Sequence, residues 1–239
     1  MENYEKYTID SLFEAVDPIE TAKIIWRSRP AVREGIADPE DENLIQIAGG
    51  TINIVAARNV RANVHRSIRI ALDLAASGSF VLYLNSYAGM ELLREAIYSN
   101  LPKDPEESKG IRERVTILSF PIGMMSQSIE DAEEEIYEDK HLNYSSEEFE
   151  RHQYAEVVVL NSYEFASFSY RDKLELTSTL LKWAAEVPIT IVVFTQEVST
   201  YMSAGVPVRG PLGLLTASAA TVSKLGRTVR ERKLDALQS

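Results

Sequence analysis

Cysteine is absent from this 239-residue chain, and histidine occurs three times, as His65, His141 and His152. Without thiols, disulfides and thiolate metal centres are excluded. The three imidazoles share no metal-ligand spacing, so neither a metal nor a resident cofactor is expected. Long apolar runs are missing too. No stretch approaches the roughly 18 apolar residues of a membrane span, and the opening residues Met1 to Lys6 are polar where a secretory signal would be apolar. A cytoplasmic protein with no membrane association is the expectation. Tryptophan is confined to Trp26 and Trp183, and both are expected to pack in the interior rather than stack on a base.

What the chain has is apolar bulk, 45% of its residues, enough for one sizeable α/β domain with a small N-terminal extension. Its net charge of -11 is unevenly spread. Between Glu130 and Glu150 ten acidic residues face the single cation Lys140, so this stretch carries nine of the eleven excess negative charges and the remainder is nearly balanced. A basic surface elsewhere is therefore compatible with the low pI.

Residues 1–43 carry short helical signals, among them Ser11 to Val16 and Ile19 to Trp26, broken by Pro18, Pro30 and Pro39. They read as an N-terminal helical extension. From residue 44 onward, apolar runs of strand length at 52–56, 80–84, 115–120, 157–160 and 189–194 alternate with helical stretches. Val157 to Leu160 and Ile191 to Phe194 are apolar at every position, as suits parallel strands covered by helices on both sides. After the first run, Val64, Ile68, Ala71, Leu72 and Ala75 form a helical stripe, with His65, Arg69 and Asp73 on the other side. A second helix is expected over 170–186, with Leu174, Leu180, Leu181 and Ala184 facing inward and Val187-Pro188 ending it. The acidic segment, at about 129–152, and Leu101 to Gly110 read as solvated insertion or loop.

Ile52 to Ala56 is a strand pattern leading through a short connector into a helix, the layout of a phosphate-binding loop G-x-x-x-x-G-K-[ST]. In that register Ala57 and Ala62 stand at the two glycines, Asn63 at the lysine and Val64 at the hydroxyl residue. Alanine disfavours the positive φ that glycine adopts, a carboxamide carries no charge toward a phosphate, and valine cannot ligate Mg²⁺.

Together with the element order, Ile52-Asn53-Ile54-Val55-Ala56-Ala57-Arg58 resembles the RecA-like ATPases, in particular the core of DnaB-type replicative helicases, whose nucleotide strand runs through I-V-A-A-R. The resemblance covers about Ile47 to Arg227. Phe80 to Ser86 looks like the strand that ends in a catalytic glutamate, with Ser86 or its neighbour in that place. Ala155 to Ser162 is similar to the Walker B strand, with Asn161 at the aspartate. Val187 to Gln196 looks like the strand ending in the sensor glutamine, which Gln196 retains. Gly210 to Leu225 resembles the last strands of the core. The resemblance implies an α/β, RecA-like three-layer sandwich, its mostly parallel central sheet covered by helices on both faces. It also implies loss of phosphate, metal and water activation together.

Three further groups bear on function. Arg58, Arg61, His65 and Arg66 crowd the start of the helix and form a candidate anion site; the alternative is solvated helix charge, with Arg69 and Asp73 as an i, i+4 pair. Glu156 and Glu164 flank Asn161 and are candidates to replace its missing carboxylate. Lys224, Arg227, Arg230, Arg232 and Lys233 could meet a nucleic acid or an acidic segment, although no aromatic residues interleave with them. The leading expectation is a catalytically inactive RecA-like domain acting as scaffold, adaptor or regulator through a protein partner or self-association. The alternative is a nucleotide- or nucleic-acid-binding protein without hydrolysis, using the arginine cluster.

Overall fold

The computed structural model describes residues 5–14, 45, 47–56, 59–125, 155–186, 189–196 and 210–224. In chain order they form β1 (Glu5–Thr8), α1 (Ser11–Glu14), β2 (Ile52–Ala56), α2 (Val60–Ala76), β3 (Val81–Asn85), α3 (Met90–Asn100) and α4 (Pro105–Arg112). Then follow β4 (Val115–Ser119), β5 (Val157–Leu160), α5 (Tyr163–Ala166), α6 (Tyr170–Glu186), β6 (Thr190–Thr195), α7 (Gly210–Ser218) and β7 (Thr221–Lys224). The seven strands make one sheet in the order β1-β4-β3-β5-β6-β2-β7. Every adjacent pair is parallel except β1 with β4.

Alternation along each strand divides the interior in two. Ile52, Ile54, Leu82, Leu84, Val158 and Leu160 point to one face and pack with Leu176, Leu180 and Trp183 of α6 and Leu212 and Leu215 of α7. Val55, Tyr83, Val159 and Phe194 point to the other, against Val64, Ile68 and Leu72 of α2 and Leu93 and Ile97 of α3. All residues of β2, β3, β5 and β6 are buried, which is why these runs are mostly apolar instead of alternating, with Asn53, Asn85, Thr190 and Thr195 as the polar exceptions. The architecture is thus α/β, a mostly parallel sheet with helices on both faces.

Several local expectations need correction. Leu101 to Gly110 is not all loop: Asp104 accepts the backbone N–H groups of Glu106 and Glu107, and Pro105 opens α4. A capping aspartate, a proline at the first helical position and two acids in the first turn outweigh the local polarity. The first residues contain a strand as well as helix, for β1 lies along β4 with Glu5 opposite Ser119 and Thr8 opposite Thr116. Gly210 onward forms helix α7 before the single strand β7, where only strands were expected. On α6, Leu174 is exposed, while Leu176 and Trp183 join Leu180 in the interior. The α2 stripe is buried as expected, and Arg69 meets Asp73 at 3.7 Å. His65 departs from its expected solvent side and is half-buried. Trp26, the acidic segment and the C-terminal cations from Arg227 onward lie outside the described residues.

Among the described residues no helix is long and apolar enough to cross a membrane.

Candidate functional site

Parallel strands deliver all their carboxyl ends to one edge of the sheet, and ligands of open α/β folds bind there, where neighbouring strands lead to helices on opposite faces. Strands β3, β5, β6 and β2 are consecutive in the sheet, so the four ends that bear motif-like residues stand side by side. Strand β3 leads to α3 on one face and β5 to α5 and α6 on the other. The crevice position between them is held by Asn85, the last residue of β3, and by Asn161, the first after β5.

A hydrogen-bonded group of uncharged side chains fills this position. Asn161 Nδ2 donates to Asn85 Oδ1 at 2.7 Å, and Asn161 Oδ1 accepts the backbone N–H of Ser86 at 3.0 Å and lies 3.0 Å from its hydroxyl oxygen. The Ser86 hydroxyl also lies 2.6 Å from the carbonyl oxygen of Ser162. Asn85 in turn donates to the carbonyl of Ala88 and to Ser119 Oγ, and accepts the Ala88 N–H. Asn85, Ser86, Asn161 and Ser162 are each 1% exposed or less. Buried carboxamides are most often hydrogen-bonded at both ends, and those of Asn85 and Asn161 are.

The network continues toward α2. Tyr83, one residue before Leu84 on β3, places its hydroxyl 2.8 Å from Ser67 Oγ. Burial raises the Tyr83 phenol well above its ordinary value, with Ser67 and Asn161 acting to lower it. The phenol therefore stays protonated and neutral throughout the physiological range.

At the start of α2 one of the free amides of the first turn is capped by a side chain. Asn59 caps the helix: its side-chain oxygen accepts the Ala62 N–H at 3.1 Å, and its carbonyl accepts the Asn63 N–H at 2.9 Å. Asn63 and Val64 are fully buried against the sheet. Ala57 and Arg58 lie outside the described residues.

Of the candidate anion cluster, Arg58 lies outside the described residues, and Arg61, His65 and Arg66 are on the first two turns of α2. Arg61 reaches across to α3 and binds Glu95 at 2.9 Å. His65, one turn on, has its pKa lowered by burial first, with Glu95 acting to raise it and Arg61 to lower it. Arg66 is half-buried. The cluster is thus partly neutralised through Glu95, a residue that sequence spacing gave no reason to single out.

The two candidate replacement carboxylates have different fates. Glu156 precedes β5 and accepts the Phe80 N–H at 3.3 Å, at the amino edge of the sheet, the opposite edge from Asn161. Glu164 is at the carboxyl edge. It accepts the Thr195 hydroxyl, the backbone N–H of Gln196 and, at 3.3 Å, the Ser162 hydroxyl. It thereby ties the start of α5 to the end of β6 and fixes how Gln196 leaves the strand. No group of three or more His, Cys, Asp or Glu side chains arranged to hold a metal ion occurs among the described residues.

Sequence reasoning left Asn85 as the unnamed neighbour of Ser86 and overlooked Tyr83, Ser67 and Asn53. Asn53 is fully buried in β2, accepts from Ala48 N–H and Thr221 Oγ1 at 2.8 Å each, and donates to the carbonyls of Ala48, Thr51 and Ile191. An asparagine inside or at the end of an apolar run was the available signal.

No family model matches the chain, and no curated protein matches it.

Proposed function

We propose that this chain is a catalytically inactive RecA-like domain, a pseudo-ATPase that works as a scaffold, adaptor or regulator through protein–protein contact. The observation that carries the reading is the neutral network of Asn85, Ser86 and Asn161. It occupies the place on the carboxyl edge where a general base and a metal-binding carboxylate would have to stand. Hydrolysis of a nucleoside triphosphate needs a positioned metal, charge against the phosphates and an oriented water. Asparagine and serine, already bound to one another, offer none of these.

Two further features support the reading. The strand order brings the ends of β2, β6, β5 and β3 together, as a nucleotide site of RecA-like layout requires. The Asn59 side chain takes up the Ala62 amide, which removes one donor of the first turn from an incoming phosphate. The Arg61–Glu95 pair engages one of the four cations on which the alternative of an arginine-based nucleotide- or nucleic-acid-binding protein rests.

Phosphate release from Mg²⁺–ATP and Mg²⁺–GTP tests the catalytic half. Turnover no higher than in a mock purification is expected, and activity that copurifies with the chain and drops in Asn161→Ala would overturn it. Sedimentation equilibrium across micromolar concentrations tests the self-association half. A concentration-independent monomer removes it and leaves a different protein as the partner.

A further inference from the structure

We draw no further inference here: the strongest candidate, the exposed apolar patch that Ile122, Met124, Phe168 and Tyr170 form around the Met124–Ser167 bridge beside the carboxyl edge of the sheet, carries nothing because nothing in the structure shows what covers it.

Discussion

Asn161 and Asn85, cross-strand neighbours just beyond the paired residues Leu160 and Leu84, are joined by an Nδ2–H···Oδ1 bond of 2.7 Å in a fully buried setting. This bond needs a donor on Asn161, while the Ser86 backbone N–H needs an acceptor on it. A carboxamide supplies both, whereas an ionised carboxylate supplies only acceptors. Asn161→Asp, nearly identical in shape, replaces that donor with a second carboxylate oxygen against Asn85 Oδ1.

The Asn161→Asp variant is therefore expected to lose about 2–4 kcal/mol at pH 7, the usual scale for an uncompensated buried polar or charged group. Burial raises the new acid's folded pKa above its unfolded value of about 3.9. With a raised folded pKa, the variant's deficit is smallest at acid pH and grows as pH rises through that pKa. Urea unfolding of the two proteins at pH 4.5 and pH 7.5 checks this. An equal deficit at both values contradicts it.

His65 titrates in the other sense. Its folded pKa is depressed, chiefly by burial, so the folded state binds fewer protons than the unfolded chain in the acid range. The stability it contributes is complete above about pH 6.5 and is lost as pH falls through the folded pKa. Glu95→Gln removes the influence that raises this pKa and is expected to lower it further; Arg61→Met is expected to raise it. With three histidines in the chain, NMR titration beside His65→Gln identifies the resonance. A shift of the opposite sign in either variant refutes the arrangement.

Asn59→Ala removes the α2 cap and should cost about 1 kcal/mol, with a fall of a few degrees in Tm. Asn59→Ser, which keeps a capping oxygen, should recover most of it. No loss in Asn59→Ala would mean that the cap contributes nothing to the helix.

Gly123 has φ +81°, and an added Cβ would lie 2.4 Å from the Phe168 ring. Gly123→Ala is expected to destabilise by about 1–2 kcal/mol from backbone strain alone, plus a contribution from the ring. Because Phe168 is itself 67% exposed, its ring can swing away. A double-mutant cycle with Phe168→Ala should therefore show a coupling below about 1 kcal/mol. Full rescue by Phe168→Ala would instead assign the entire cost to the clash.

The interior of the sheet was readable because burial on both faces leaves a plain mark, as in Val157 to Leu160 or Ile191 to Phe194. The α2 stripe was readable for the same reason at helical spacing. Strand β1 was not: Glu5-Lys6-Tyr7-Thr8 lies at an edge with mostly exposed side chains, so its place depends on backbone pairing with β4 and leaves no apolar pattern. Helix α4 was obscured by its charges, although Asp104-Pro105-Glu106-Glu107 held the capping chemistry. At the candidate site, Ser86 and Asn161 could be placed by register with the motifs. That they bind each other, and that Asn85 and Tyr83 complete the group, depends on strands β3 and β5 being neighbours, a long-range fact that no local window contains. The pairing of Arg61 with Glu95 is hidden in the same way, since it joins two helices 34 residues apart.

Isothermal titration of Mg²⁺–ATP into the full chain tests most directly the claim that the carboxyl edge has lost its nucleotide chemistry. No saturable heat is expected up to millimolar ligand, with or without the metal. Stoichiometric, Mg²⁺-dependent binding at micromolar concentration that weakens in Asn161→Ala would contradict the account.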